Sequence, residues 1–194
     1  FSAQNISYEK NEEKIKIKGK SNALIETNYE FETEDITIFR NESIISSDMR
    51  AMILDKANKT RYEIDNFSYS LNEKILKGKN IFINTKFDQP FSDKYFFKSA
   101  VFDLENQNYI AQDIDISFKK DIFGNKKNDP RFSGISSTSK NGITTINKGV
   151  FTSCKKNDKC PPWTIQAEKI TYDKNKKQIN YDNALVKIYD IPVI

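Results

Sequence analysis

Apolar and polar residues alternate with a period of two along much of this chain. The plainest case is the segment 14–20, in which Ile15 and Ile17 alternate with lysines. Because successive side chains of a β-strand point to opposite faces, this pattern predicts strands with one apolar and one polar face. Shorter copies of the pattern occur at 6–8, 35–38, 80–83, 114–118, 164–167 and 184–188.

Polar turns separate these segments, at 11–13, 72–74, 105–108 and 173–177. A turn about every 8–12 residues is typical of an antiparallel all-β domain. The segment 48–56 also fits a short helix, but we interpret it as a strand. The region 121–148 combines glycines and Pro130 with Asn, Ser and Thr, so we interpret it as a long loop that contains a hairpin. Since this length requires no second domain, we predict one all-β domain over residues 1–194.

An internal repeat is visible at 5–19, 66–78 and 167–184, with weaker copies at 29–45 and 100–116. Each copy is predicted to be a strand, a tight turn and a second strand. Gly or Asn stands where a left-handed backbone is needed before the next strand. A single hairpin cannot bury its apolar face, so we expect the stacked hairpins to form two facing sheets around a shared apolar interior.

The parity of the alternation predicts which side chains face this interior. It selects Ile6, Tyr8, Ile15, Ile17, Phe67, Tyr69, Ile81, Ile83, Ile114, Ile116, Ile170, Tyr172, Ile179, Tyr181, Val186 and Ile188. The facing rests on parity alone, and one bulge reverses the parity of the rest of a strand.

Composition supports the sheet and narrows the function. The apolar residues are mainly Ile, Phe and Tyr, including 14 Phe and 9 Tyr, which favour strands. The net charge is +4. The sequence has no dense Arg/Lys cluster with interleaved aromatic residues, so it does not predict nucleic-acid binding. The absence of His removes the commonest general base and most zinc enzymes. We therefore predict a protein that is not an enzyme and has no cofactor. A hydrolase with paired carboxylates stays formally open, although no carboxylate stands out.

Lysines 14, 16, 18 and 20 form a basic stripe on one predicted strand. We interpret the stripe as a solvated face that also blocks edge-to-edge pairing, with phosphate binding as the alternative.

Five residues separate Cys154 from Cys160 in a polar turn, just before Pro161-Pro162-Trp163. This is not the spacing of a CxxC redox pair, and further metal ligands are absent nearby. The two thiols could bridge each other, bridge other partners in an oxidising compartment, or stay free in a reducing one.

The end of the chain resembles a known family. Phe151-Thr152-Ser153-Cys154, the Trp163-x-Ile165-x-Ala167 strand running to Asp173, Asn183-Ala184 and Ile191-Pro192-Val193 follow its pattern in order and spacing. This pattern is similar to the end of the periplasmic domain of LptD, the family of outer-membrane proteins that assemble lipopolysaccharide. The hairpin repeats resemble, more weakly, the OstA-like repeat shared by LptA, LptC and LptD.

The resemblance implies a single OstA-like β-jellyroll over 1–194, with two V-shaped sheets and an apolar groove. It implies that the inward residues bind lipid A acyl chains of lipopolysaccharide received from an LptA-type jellyroll by edge-strand addition. An outer-membrane barrel, absent from this chain, would insert the lipid with an LptE-type lipoprotein. The expected location is the periplasmic face of the outer membrane. Cys154 matches a family cysteine that pairs near the barrel's C-terminus, and a local Cys154–Cys160 disulfide is the alternative.

Two other functions stay open from the sequence. The first is an LptA- or LptC-like bridge protein with the same fold and ligand. The second is an all-β carbohydrate-binding or hydrolytic module, which would have a filled interior and a surface cleft with two carboxylates.

Overall fold

A computed structural model describes residues 2–25, 28–90, 92–120, 127–156, 162–173, 175–176 and 178–193. These residues form fourteen strands and one 3-10 helix, Lys10–Glu12, with no α-helix among them, which confirms the all-β prediction. No helix in the described part has the length and hydropathy to cross a bilayer. The strands are β1 Asn5–Glu9, β2 Lys14–Ile25, β3 Tyr29–Phe39, β4 Ile44–Ser47, β5 Ala51–Asp55, β6 Thr60–Ser70, β7 Ile75–Asn84, β8 Lys94–Asp103, β9 Asn108–Ser117, β10 Arg131–Lys140, β11 Ile143–Thr152, β12 Trp163–Asp173, β13 Gln178–Ile188 and β14 Ile191–Pro192.

The strands form one antiparallel sheet in which neighbours in sequence are neighbours in space. The pair β4 and β5 is the exception, because both lie between β3 and β6 and act as one strand broken at 48–50. The repeats at 5–19, 66–78 and 167–184 are hairpins, as predicted. The segment 48–56 contains strand β5, and the predicted hairpin within 121–148 is part of the longer β10–β11 hairpin. The prediction of two separate sheets is wrong, because all the described strands belong to a single sheet.

A line of backbone irregularities crosses this sheet near the middle of the long strands, and we call it the crease. Positive φ angles mark it in seven strands. At the same level the pairing of β2 with β3 shifts register between Ile17 and Lys20. Asn, Asp and Gly tolerate a left-handed backbone best, and they occupy most of these positions. The positive-φ residues are Gly19, Asp35, Asn66, Asn80, Asp113, Lys148 and Asn183.

The polar side of the crease is stabilised by contacts between neighbouring strands. Asp35 accepts hydrogen bonds from the Gly19 N–H at 2.9 Å and from Lys18 Nζ at 3.0 Å. The Asn183 side chain donates to Glu168 at 2.7 Å. The two bonds to Asp35 lower the pKa of its carboxyl below the usual value. The bond to Asp35 gives the Gly19 N–H a partner where the β2–β3 ladder is interrupted.

The crease divides the sheet into two leaves. Leaf A contains β1 with 14–17, 36–39, 44–47, 67–70, 75–78, 99–103, 108–112, 136–140, 143–147, 169–173 and 178–182. Leaf B contains 20–25, 29–34, 51–55, 60–65, 79–84, 94–97, 114–117, 131–134, 149–152, 163–167 and 184–188.

Aromatic contacts show that the leaves face each other. Phe97 of leaf B lies 6.0 Å from Phe102 of leaf A, centroid to centroid, although both belong to β8. Five residues of straight strand would separate them by roughly 16 Å and place them on opposite faces. Phe31 and Phe67 meet across the interior in the same way, at 5.3 Å. The sheet is therefore folded along the crease, and its inner face is the core.

Two glycines near the crease allow the core strands to pack closely. A Cβ at Gly149 would lie 2.5 Å from Cδ1 of Ile170, and one at Gly134 would lie 2.5 Å from Cγ2 of Ile146. Ile170 and Ile146 are themselves 0% and 2% exposed. These positions therefore exclude any side chain, since the neighbouring isoleucines have no free space to move into.

Candidate functional site

The inner face of the folded sheet is the candidate site, and most of the predicted inward residues lie on it. The buried members are 0–8% exposed, and the others are half-buried. The buried set is Ile17, Phe67, Ile81, Ile83, Ile114, Ile116 and Ile170. The half-buried set is Ile15, Tyr69, Tyr172, Ile179, Tyr181 and Val186.

Three residues predicted to be inward are exposed: Ile6 at 62%, Tyr8 at 47% and Ile188 at 47%. Ile6 pairs directly with the buried Ile17, and Ile188 pairs with Trp163, which packs against the core. Directly opposed residues of antiparallel strands share a face, so the side chains belong to the inner face. They are exposed because β1 and β13 lie at or next to the two edges of the sheet, where little covers them.

Large inner-face aromatics were missed by the sequence analysis. Phe97 contacts Phe102 and Tyr109, and Phe132 lies 4.6 Å from Phe151. Phe97 and Phe102 have opposite parity, so alternation alone could not place both inward. One feature of the sequence indicates where the alternation changes faces. The polar pair Gln112-Asp113 separates the two apolar runs of β9, and Asp113 has the left-handed backbone that causes the change. These rings fill the centre of the interior.

Both edges of the sheet present backbone groups to solvent. At one edge, β1 is held by a polar cluster in which Arg40 Nη1 donates to the Tyr8 hydroxyl and to Glu13, each at 3.1 Å. The Tyr8 hydroxyl donates to Glu13 at 2.7 Å, and this bond raises the pKa of Tyr8. At the other edge, β14 pairs only with Lys187 and Ile188 of β13. The Val193 N–H also donates to the Val186 carbonyl at 2.9 Å, and the preceding part of β13 has no strand partner on its outer side in the described part of the chain.

Four residues of the family resemblance, Phe151, Thr152, Cys154 and Trp163, lie together at the end of leaf B. Trp163 packs edge-to-face on Phe151 at 5.8 Å, and Thr152 Oγ1 donates to the Trp163 carbonyl at 2.7 Å. The Cys154 Sγ lies 3.7 Å from the same carbonyl. Cys160 lies outside the described residues, so its pairing with Cys154 stays a prediction.

The lysine stripe of β2 faces carboxylates. Lys16 pairs with Glu9 at 2.7 Å and Lys18 with Asp35 at 3.0 Å. All four of these side chains are substantially exposed, so this part of the stripe is a solvated, ion-paired face.

Carboxylates also line a surface recess of about 370 Å³ near the gap between β4 and β5. Glu32, Glu34 and Glu63 border it together with Arg50 and Arg61. Glu63 is paired with Arg61 at 2.8 Å and with Arg50 at 3.4 Å. Within the described residues, His, Cys, Asp and Glu side chains do not gather in any group of three that could hold a metal ion.

No known family matches the sequence of this chain. No curated protein matches it either. The site therefore has to be interpreted from its own residues.

Proposed function

We propose that this chain is a lipid-carrying domain, a V-shaped β-jellyroll that holds lipopolysaccharide acyl chains between its two leaves. The lipid would arrive from an LptA-type bridge protein at the periplasmic face of the outer membrane. It would pass to an outer-membrane barrel working with an LptE-type lipoprotein, which inserts it into the outer leaflet.

One observation carries the proposal: the apolar inner face continues past the covered core to both edges of the sheet. Ile6 and Tyr8 extend it at one edge, and Ile188 and Ile191 at the other. Ile6 and Ile191 are 62% and 66% exposed. A closed β-sandwich covers its apolar inner face. Here, apolar side chains of the inner face are exposed to solvent at both edges of the sheet.

The physical requirement is a shield for hydrocarbon in water. Each acyl methylene removed from water contributes about 0.8 kcal/mol. An apolar surface between two leaves supplies this energy at any position along the surface, so a chain can slide without meeting a single deep site. The aromatic rings at the centre would have to separate for passage, which requires the two leaves to move apart about the crease.

The open edges suit continuation of the surface into a neighbouring protein. An exposed strand edge pairs with a strand of another chain through backbone hydrogen bonds. Pairing at β1 or along β13 would cover Ile6 or Ile188 with the partner's inner face.

Photo-crosslinking tests this proposal without disturbing the core. The photoreactive residue p-benzoylphenylalanine is placed at Ile6 or Ile188, on the exposed inner face. The matched controls are Ser7 and Lys187, the adjacent positions on the opposite face. Incubation with purified lipopolysaccharide should give lipid adducts at Ile6 and Ile188 only. Equal adducts from both faces, or none from the inner face, contradict the proposal.

The recess bordered by Glu32, Glu34 and Glu63 supports a second candidate, a carbohydrate-binding or hydrolytic module. The filled centre of the interior also fits such a module, and the pairing of Glu63 with two arginines leaves Glu32 and Glu34 as its candidate carboxylates. Lipopolysaccharide stripped of its acyl chains separates the two functions. Binding of the stripped saccharide, reduced by Glu34→Gln, would favour the second candidate, and binding of intact lipid alone favours the first.

A further inference from the structure

Tyrosines line the ends of the leaves far from the crease, on the inner face. Seven of the nine tyrosines lie inside strands within two residues of such an end. Their strand partners or alternating neighbours include the core residues Phe31, Leu76, Ile83, Phe102 and Ile116. In leaf A they are Tyr8, Tyr69, Tyr109 and Tyr172, and in leaf B they are Tyr29, Tyr62 and Tyr95.

This placement gives the inner face a gradient of polarity. Next to the crease most of the large inner side chains are hydrocarbon, as with Ile81, Ile114 and Ile170, which are 0–2% exposed, while Ser21, Thr33 and Tyr181 also place hydroxyls there. At the free ends they carry hydroxyl groups. A tyrosine has an apolar ring and a polar tip, so it suits a boundary between hydrocarbon and water.

The hydroxyls meet most closely over β8–β12. The Tyr109 hydroxyl lies 3.2 Å from Ser137 Oγ, and Thr144 Oγ1 donates to Ser139 Oγ at 3.2 Å. Burial raises the pKa of Tyr109 and of Tyr95. Tyr172 lies directly opposite Thr144 in the ladder. Tyr95 of leaf B stacks on Phe97 at 6.3 Å, and Phe97 contacts the ring of Tyr109 in leaf A at 5.3 Å.

These hydroxyls differ from the other buried hydroxyls of the interior. Ser21, Thr33 and Ser47 each donate to a backbone carbonyl beside the crease or the 48–50 break, at 2.8–3.1 Å. Those hydrogen bonds satisfy backbone carbonyls at places where the strands bend, so they belong to the fold itself. The bonds of Tyr109 and Thr144 join side chains to side chains, the least common class in proteins. Side-chain hydroxyls can exchange one partner for another without breaking the sheet.

We infer that Tyr95, Tyr109, Ser137, Ser139, Thr144 and Tyr172 form a subsite for an uncharged hydrogen-bonding group at the start of an acyl chain. The chemical class is an ester, an amide or a hydroxyl. The hydrocarbon beyond this group runs toward the crease, and a charged headgroup stays outside the free ends of the leaves. This inference rests on the proposed function, because it requires that the interior takes up acyl chains.

A pair of simple lipids tests the subsite. The probes are tetradecanoate and 3-hydroxytetradecanoate, which differ only in one hydroxyl near the head, below the concentration at which they form micelles. Calorimetric titration of the wild-type chain should show a three- to tenfold preference for the hydroxylated lipid, about the value of one hydrogen bond. Tyr109→Phe should abolish this preference and leave the affinity for tetradecanoate within about twofold.

The matched control is Tyr181→Phe, which removes a hydroxyl from the same inner face but next to the crease. It should keep the preference of the wild type. Tyr109→Phe retains the ring that packs on Phe97 and Phe102, so the fold should persist, and thermal unfolding checks this. Thr144→Val is a second variant that removes a hydroxyl of the cluster with little change in volume.

The outcomes separate the two proposals. If both lipids bind equally to the wild type, or if Tyr109→Phe and Thr144→Val keep the preference, the subsite is overturned and the lipid-carrying function stands. If neither lipid binds, the lipid-carrying function itself is overturned. Loss of the preference in Tyr181→Phe as well would show that the hydroxyl effect is not local, which also overturns the subsite.

Discussion

The centre and the edges of the inner face are built from the same pattern of residues and have opposite environments. Ile17 and Ile6 are paired directly, one 2% and the other 62% exposed. Phe97 at the centre is 1% exposed, whereas Ile188 near the far edge is 47% exposed. The difference comes from neighbours, since central strands have a strand on each side and a leaf above. Burial at the centre stabilises the fold, and exposure at the edges leaves apolar surface available for a ligand or partner.

The largest expected effect comes from emptying the centre. Phe97→Ala removes a ring that contacts Tyr95, Phe102 and Tyr109. We expect a loss of about 3–5 kcal/mol in the free energy of unfolding, from lost burial and from the cavity left behind. Urea unfolding followed by circular dichroism measures it. Val101→Ala on the exposed face of the same strand is the control, expected within about 1 kcal/mol of wild type.

The next effect comes from overfilling the crease. Gly149→Ala introduces a Cβ 2.5 Å from Cδ1 of Ile170, which has no free space around it. We expect a loss of about 1–3 kcal/mol. Ile170→Val removes Cδ1, so Gly149→Ala should cost less in the Ile170→Val background than in the wild type. A double-mutant cycle by urea unfolding measures this coupling, and strict additivity would contradict the proposed contact.

Alkaline pH should weaken the interior at its tyrosine-lined ends. Burial raises the pKa of Tyr62 from 10.0 to about 12. The folded state therefore favours the protonated phenol more than the unfolded state does. This contribution is complete below pH 10 and is lost as pH rises through about 12. Urea midpoints between pH 9 and pH 12 should fall less steeply for Tyr62→Phe than for wild type. Identical slopes would show that this phenol is accessible in the folded state.

The smallest expected effect on stability lies at the edges. Ile6→Ser and Ile188→Ser should change the free energy of unfolding by no more than about 0.5 kcal/mol, because both side chains are already exposed. They should nevertheless weaken binding of tetradecanoate if the edges extend the lipid surface. Unfolding and calorimetric titration on the same samples give both values. If either variant lost as much stability as Phe97→Ala, the conclusion that the edge residues contribute little to stability would be wrong.

Much of the local structure could be predicted because it depends on neighbouring residues in the chain. Alternation of Ile15 and Ile17 with lysines predicts strand β2, and the polar turns predict the hairpins. Gly or Asn was expected where the backbone is left-handed, and Gly19 and Asn183 adopt this conformation. Parity correctly placed Ile114 and Ile170 in the core.

Other features could not be predicted because they depend on several strands at once. The two-sheet prediction was wrong in its connectivity, since each long strand contributes to both leaves. Phe97 and Phe102 become neighbours only because the irregularity near Lys98 is continued by Asp113 in the next strand. The tyrosine-lined ends emerge only when the two leaves are placed face to face.

The sequence by itself determined the strands, their order and the turns, because period, turn chemistry and short connections act over a few residues. The tertiary structure alone decided that the irregularities of successive strands align into a crease. It also decided which apolar side chains are covered, because coverage depends on having a strand on both sides and a leaf opposite. Ile6 and Ile17 stand in equivalent local patterns, and only their distance from the sheet edge makes one part of the core and the other an open surface.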